Sequence, residues 1–538
     1  MAVDVFDGYW LPTALRERVL TGATWETLWL KGGTLTTQDT PDAVAVRWPR
    51  LTPVQWNTLL EGLHQARTVG GREVLARWQA VLDVALTQLT EQSPAMLPAL
   101  STCTGYSPQM LAMALGQGDL VKPSSLAAAL EFRPTWSVAT RWEQMTGLPG
   151  RVRFFPQRTL DRATSRLVSG SPLCRPAPPI DLALGFAAGN VPGTALVIAL
   201  LGGLANCAAG DKTLSPAVLV RNSRHEPLFA PWVLSVVEAI DPALVAGLAV
   251  LIWDYGDDGD KDAAMQGELM RRAGLMIAAA GDDTIAALDA IRAGVAPTLR
   301  FHCHGHKASF AVVQNQPSEI GQLKSTIPHL AALDSALWDQ NGCLSARAHF
   351  VEGDAEGYAQ ALVNELRALS TSLPRGTTPR RLIHRAFDAY TALASTSQVR
   401  VYSTYDDDFA VIVDTRAWNA KTLRRTVNAC TGRVIIVCPV KDALDAPGFL
   451  RWIPAANLQS VSVALAQDRV LEFAQAAGAC GVTAVRSLGR AAFPQLAYSW
   501  DGLLPLDMGH LRPEGHFTTV EFDDLRQEIE ATAERWKL

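Results

Sequence analysis

Between residues 50 and 150 apolar positions recur at three- and four-residue intervals, the spacing of a helix face. This predicts helices over Pro53–Gln65, Arg72–Gln92 and Ser124–Leu130. Another is expected over Gln109–Leu115, after Thr104-Gly105-Tyr106-Ser107, with the serine as its cap. Trp10, Trp25, Trp29, Trp48, Trp56 and Trp78 are expected in the core of this N-terminal region. The region ends in a proline-dense stretch, Pro172 to Pro179, which reads as an extended crossing segment, because proline removes backbone donors and fixes φ.

From Ile180 the pattern becomes short apolar runs alternating with amphipathic stretches. Strands are predicted at Leu182–Ala187, Ala217–Val220, Leu248–Trp253 and Leu275–Ala280. The helices between and after them are Thr194–Cys207, Glu226–Ile240, Asp262–Ala273 and Asp283–Arg292. Repeated units of this length imply a parallel sheet with helices on both faces. Ligands on such sheets bind outside the carboxyl ends of strands, here Gly189–Gly193, Asp254–Asp260 and Gly281–Asp283. The acidic loop 254–260 repels phosphate, so the other two are the better candidates.

The alternation continues with strands at Ala308–Val313, Ala348–Val351, Val399–Thr404, Phe409–Val413, Val434–Val437 and Val461–Ala464, and helices at Gly357–Leu369 and Gln467–Ala477. Between the first two strands, Ile327–Gln340 has a helical face through Leu330, Leu333, Ala336 and Leu337. A break is expected at Asn341-Gly342, a pair that tolerates positive φ. Cys343 then falls on a tight turn before a strand, placed like a nucleophile with little bulk around its sulfur. A small buried hydrophobe is the plainer reading of a cysteine.

Composition narrows the class. The 538 residues are 48% hydrophobic, enough for a large core and two to four domains. A net charge of −5 without a long basic run argues against nucleic acid as a partner. Eight scattered cysteines without a CxxC pair suggest reduced thiols and a cytoplasmic enzyme. The N-terminus has no basic segment followed by an apolar one, so no export signal is expected. The uncharged run between Asp181 and Asp211 is interrupted by Gly189-Asn190-Val191-Pro192-Gly193, and neither half has the roughly 20 apolar residues a membrane span needs.

Five motifs in register carry a resemblance. They are Gly189–Gly193, Lys212, Gly281-Asp282-Asp283-Thr284, Gly305-His306-Lys307-Ala308-Ser309-Phe310 and Asp339-Gln340-Asn341-Gly342-Cys343-Leu344-Ser345. Their order and spacing resemble the aldehyde dehydrogenase superfamily, in particular the acyl-CoA reductases related to the fatty-acid reductase of bacterial bioluminescence. Gly481–Arg486 and Ser499-Trp500-Asp501-Gly502 look like the C-terminal region of that branch. The resemblance covers roughly residues 100 to 510. It implies an α/β fold with a mainly helical N-terminal region (1–179), a nicotinamide cofactor-binding domain (180–300), a catalytic domain (301–490) and a C-terminal segment (491–538).

The resemblance implies roles residue by residue. Cys343 matches the nucleophile, and Asn190 the asparagine whose amide joins the backbone N–H of the cysteine in an oxyanion hole. Lys212, followed by Thr213 and Ser215, matches the lysine that contacts the adenosine ribose or its 2′-phosphate. Gly281, with Asp282 and Thr284, matches the helix start under the pyrophosphate, where free N–H groups favour an anion. The implied activity is reduction of an acyl-CoA or other acyl thioester to an aldehyde by NADPH or NADH, through an acyl-cysteine. The implied partners are an acyl-transferring synthetase or carrier protein and further copies of the chain. The alternatives are an oxidative aldehyde dehydrogenase and a non-catalytic acyl-binding subunit.

Two departures stand out. Cys303 occupies the place of the superfamily's general-base glutamate, four residues before Lys307. Around Val437-Cys438-Pro439-Val440 no glutamate is present to hold the nicotinamide ribose. The cluster His302, Cys303, His304 and His306 has ligand chemistry, but on a strand only the three histidines share a face, and no metal is expected. A role for Cys303, His304 or His306 in proton transfer or in the fate of the intermediate is the stronger expectation.

Overall fold

The computed structural model describes residues 5–68, 72–114, 153–156, 179–206, 213–253, 259–315, 325–377, 381–394, 398–416, 432–491, 501, 517–522 and 524–536, with 323, 419–421 and 423. The expected helix Ser124–Leu130, the segment Pro172 to Pro178, Lys212 and most of the 254–260 loop lie outside these residues.

Three sheets build the described chain. The first was not expected. Strands β1 (Val5–Asp7), β2 (Thr24–Lys31), β3 (Thr34–Thr36) and β4 (Val44–Arg50) form a four-stranded sheet in the order β1-β4-β2-β3. Trp29 and Trp48 thus lie on strands, in a segment read for its helices. The helices then follow: α1 (Pro53–Gln65) with the expected bounds, α2 (Arg72–Thr104), which runs on past the expected end at Gln92 through Pro94 and Pro98, and α3 (Pro108–Ala114), one residue earlier than expected. Thr52 and Gln55 close a capping box at the start of α1, and Ser107 Oγ accepts the Met110 N–H (3.3 Å) in the first turn of α3.

The second sheet is the alternating unit after Ile180. With β5 (Arg153–Pro156) in the third sheet, the strands here are β6 (Leu182–Phe186), β7 (Ala217–Arg221), β8 (Leu248–Leu251), β9 (Leu275–Ala279) and β10 (Arg300–His304). They are all parallel, in the order β10-β9-β6-β7-β8. Every residue of β6 is buried, as a strand covered on both faces requires. The strand order reverses between β6 and β9, so the crevice outside their carboxyl ends is the place for a ligand. The loops leaving those ends are Ala187–Gly193, before α4 (Thr194–Leu204), and Ala280-Gly281, before α5 (Asp282–Val295).

The chain passes from β10 through Gly305-His306-Lys307 into β11 (Ala308–Asn315) of a nine-stranded sheet. Its other strands are β12 (Ala346–Gly353), β13 (Val399–Val401), β14 (Ala410–Asp414), β15 (Val434–Val440), β16 (Leu458–Ala464), β17 (Ala484–Ser487) and β18 (Phe517–Val520). Their order is β13-β14-β15-β12-β11-β16-β17-β18-β5, antiparallel only at the two edge pairs. Because β10 ends where β11 begins, the carboxyl ends of the second sheet face the amino ends of the third. Residues just before β11, β12 and β16 therefore converge on the crevice.

Candidate active site

Cys343 comes three residues before β12, but the turn that presents it is not the expected one. The helix α6 (Thr326–Ala336) ends four residues early. Positive φ falls on Trp338 (55°), Asp339 (47°) and Gln340 (60°), while Asn341 has φ −83°. Left-handed geometry costs a non-glycine residue about 1–2 kcal/mol, so three in succession need anchors. Trp338 packs edge-on against Tyr106, 5.4 Å between ring centres, and its backbone N–H donates to Met110 Sδ (3.2 Å). Asp339 is fully buried and accepts Arg433 Nε (2.9 Å) and the Gly376 N–H (2.9 Å). The Gln340 amide donates to the Ala346 and Val434 carbonyls (2.8 Å each) and accepts the Val434 N–H (2.8 Å), filling the place of a strand at the start of β12.

The turn itself is held from below. Ser309 Oγ, on β11, donates to the Cys343 carbonyl (2.8 Å) and receives Ser460 Oγ (3.0 Å) from β16. Across the crevice, Asn190 donates its side-chain amide to the Asn341 carbonyl (3.0 Å), two residues before Cys343. The Asn190 carbonyl in turn accepts the Tyr106 hydroxyl. Gly189 permits this loop, because a Cβ there would stand 2.2 Å from Ser223 Oγ. Gly193, at φ 88°, opens α4, and its N–H faces the buried Glu226 carboxylate (3.4 Å). Burial pushes the Glu226 pKa up to about 7, against the pull of the Phe229, Gly193 and Leu228 N–H groups. The structure thus brings Asn190 and the Cys343 turn together.

Behind Cys343 lies a charged cluster that sequence reading did not assemble. Asp501 is buried, at φ 48°, and accepts His304 Nδ1 (2.6 Å) and Gln459 Nε2 (2.7 Å), with Lys307 Nζ 3.9 Å away. Burial opposes its charge, but His304, Lys307 and Gln459 together hold its carboxyl below the usual range. Arg486 is buried in a two-pronged pair with Glu521 (2.7 and 3.0 Å). Burial pushes the Cys343 thiol up to about 11, and Asp501 adds to this, while a hydrogen bond from Gln459 and the charges of Arg486 and Arg347 pull it down.

The histidines separate. The strand β10 ends at His304, so His306 lies in the turn beyond it, exposed, and the shared three-histidine face does not form. Cys303 alternates with His304 and is exposed. Among the described residues no group of three or more His, Cys, Asp or Glu is placed to hold a metal.

The expected cofactor residues also divide. Gly281 stands at the start of the 14-residue helix α5, with no atom within 4 Å of where a Cβ would be, so its backbone is open to a ligand. Thr284 is half-buried in the first turn. Asp282 is engaged elsewhere: its carboxylate accepts the His306 N–H (2.6 Å) and ties the hinge before β11. Thr213 and Ser215 precede β7, at the amino ends of the strands and away from the crevice, and the Ser215 N–H bonds the Thr68 carbonyl (2.8 Å). The basic residues at the correct end of β7 are Arg221 and Arg224. Their signal was available, since they follow the apolar run where its carboxyl end was predicted.

Two facing α/β sheets with a cysteine turn at one edge and an asparagine loop at the other define an aldehyde dehydrogenase-like fold. Solved structures agree at this level. A salicylaldehyde dehydrogenase from Pseudomonas putida G7, complexed with salicylaldehyde, superposes with a TM-score of 0.56 at 12% identity, covering 92% of this chain and 98% of that one. An aldehyde dehydrogenase from Mycobacterium tuberculosis, complexed with NAD+, gives 0.52 at 13% identity, covering 92% and 97%. An E. coli NADP-dependent enzyme gives 0.56 at 11%, covering 92% and 94%. The acyl-CoA reductase (LuxC) family model matches residues 179–509, and the chain belongs to that family. No curated protein matches the chain. Among the described residues, no helix is long and apolar enough to cross a membrane.

Proposed function

We propose that this enzyme reduces an acyl-CoA, or another acyl thioester, to the aldehyde with a nicotinamide cofactor, carrying the acyl group on Cys343. The observation that supports this most is the Asn190 amide held at the Cys343 turn across the facing edges of the two sheets. Cys343 attacks the thioester carbonyl as a thiolate, the form in which cysteine is a nucleophile. One Asn190 amide hydrogen is bound to Asn341, and the second, with the Cys343 N–H, meets the oxygen of the tetrahedral intermediate. The departing CoA thiolate takes up a proton, which the His304–Asp501 pair is suited to relay.

The open helix start at Gly281 and the basic residues Arg221 and Arg224 suit the pyrophosphate and an adenosine phosphate of a dinucleotide, and NADPH is the favoured form. When bound, the nicotinamide supplies hydride to the acyl carbon. The thiohemiacetal on Cys343 then collapses, with the sulfur as leaving group, and releases the aldehyde. Cys303 at the general-base position favours reduction over oxidation, because a thiol holds and activates water less well than a carboxylate. Free thiols at Cys103, Cys303, Cys343, Cys438 and Cys480 suit a cytoplasmic enzyme.

The test is reductant consumption and aldehyde release with acyl-CoAs of graded chain length and with an acyl carrier protein. Both activities are expected to vanish in Cys343→Ala while the fold persists. More than a few per cent of activity in the variant would refute the assignment.

A further inference from the structure

The Cys343 turn and the Asn190 loop belong to different sheets, yet one side chain touches both. Tyr106 lies between α2 and α3, outside the residues 179–509 that the family model matches, and sequence reading placed it only at a helix start. Its hydroxyl donates to the Asn190 carbonyl, and its buried ring meets Trp338 edge-on at 5.4 Å. These contacts close a ring of interactions. The Asn190 amide donates to the Asn341 carbonyl (3.0 Å), and the Asn341 N–H donates to the Trp338 carbonyl (2.8 Å). Tyr106 is itself held by its backbone. Ser101 Oγ donates to its carbonyl (2.7 Å), and the Thr377 N–H donates to the Gly105 carbonyl (2.6 Å). A Cβ at Gly376 would stand 2.9 Å from the Tyr106 Cα, and the Gly376 N–H bonds Asp339 of the turn (2.9 Å). Burial, with the charge of Asp339, pushes the Tyr106 pKa up, so its hydroxyl remains a donor at neutral and alkaline pH.

We propose that Tyr106 is a positioning residue: its hydroxyl sets the Asn190 loop and its ring sets the Cys343 turn, so one side chain fixes the spacing between oxyanion donor and nucleophile. The proposal rests on Asn190 and Cys343 in the roles given above and adds what holds them in register. An oxyanion donor is effective only when it is in place before the charge develops. Asn190 is exposed, and its amide is shared between Asn341 and the oxygen of the intermediate. The Tyr106 hydroxyl fixes the backbone of the same residue from the buried side. Hydroxyl and ring act on opposite sides of the crevice, so substitution separates them. Tyr106→Phe releases the loop and keeps the Trp338 contact, whereas Tyr106→Leu releases both.

The experiment combines hydrogen–deuterium exchange, read by mass spectrometry, with steady-state kinetics on the full chain. Tyr106→Phe should speed exchange in a peptide covering residues 187–193 about three- to tenfold, the worth of one hydrogen bond. A peptide covering 338–345 should exchange as in wild type. Tyr106→Leu should speed both. In turnover, Tyr106→Phe should lower kcat about three- to tenfold with the KM for NADPH unchanged. In the Asn190→Ala background, where no amide is left to position, the same substitution should change kcat less than twofold. Exchange needs no substrate, so a loop that loosens in an enzyme inactive on acyl thioesters refutes the assigned reaction and leaves the Tyr106 contact standing. Unchanged exchange at 187–193 in Tyr106→Phe would overturn the proposal, as would a kcat within twofold of wild type. An equal loss of kcat in both backgrounds would overturn it too, and would make Tyr106 a purely structural residue.

Discussion

Cys343 needs help to react at neutral pH, because burial and the nearby Asp501 keep its proton on. In the proposed reaction Asn190 serves the other charged centre, the oxygen of the intermediate. Loss of one such donor costs about 10²–10³ in kcat. Asn190→Ala should therefore slow turnover that far, with cofactor affinity unchanged in a fluorescence titration. A rate within twofold of wild type would make Asn190 only part of a loop. Cys303 stands where the resemblance places a general-base glutamate, four residues before Lys307. If a thiol there spares the acyl-cysteine from water, Cys303→Glu should raise hydrolysis of acyl-CoA and oxidation of aldehyde relative to reduction. Measurement of the three rates on both proteins checks this, and an unchanged ratio excludes it. The exposure of Cys303 makes the substitution easy to accommodate.

At the scale of elements, the left-handed turn Trp338–Gln340 decides where Cys343 points. Gln340 replaces backbone by side chain between Ala346 and Val434. Gln340→Leu keeps most of the volume but strands two buried carbonyls and one N–H. Each unpaired group costs about 1–3 kcal/mol, so the denaturation midpoint should fall markedly and the activity with it. An unchanged midpoint would show that β12 does not depend on this side chain. The turn also marks a limit of sequence reading. Asn341-Gly342 has the composition of a turn and drew the expected break, but buried anchors from Arg433, Gly376, Met110 and Tyr106 imposed positive φ on three ordinary residues before it. Those anchors come from 37 to 232 positions away, so no local pattern reports them. The βα alternation after Ile180 was legible because fully buried strands are continuous apolar runs. The N-terminal sheet was not, because β1 and β3 have only three residues each and β2 is mostly outward-facing.

At the scale of the molecule, the site exists only where three distant regions meet. Tyr106, between α2 and α3, holds Asn190, the end of β10 and the hinge after it supply His304 and Lys307, and the C-terminal region supplies Arg486 and Asp501. Both C-terminal residues fall in stretches that carried the family resemblance, yet their partners became visible only in three dimensions. Cys343 and Asn190 were legible as candidates because a motif marks each one locally, and the structure brings the two loops together. Gln459 had no motif. The second sheet's topology puts Thr213 and Ser215 at the amino end of β7 and Arg221 and Arg224 at its carboxyl end, which is why the latter pair enters the proposed cofactor site. Arg221→Ala with Arg224→Ala should raise the KM for NADPH about tenfold or more, as loss of a charge-assisted contact does, and leave that for NADH nearly unchanged. Equal effects on both cofactors would remove the 2′-phosphate from this account.

In the proposed reaction the acyl group rests on Cys343 before it is reduced. The most direct test is intact-mass and peptide mass spectrometry of the enzyme mixed with an acyl-CoA and no reduced cofactor. One added acyl group is expected, located on the Cys343 peptide, absent in Cys343→Ala, and discharged as aldehyde when NADPH is added. Aldehyde formation with no acyl group on Cys343, or with the label on Cys303 instead, would contradict it.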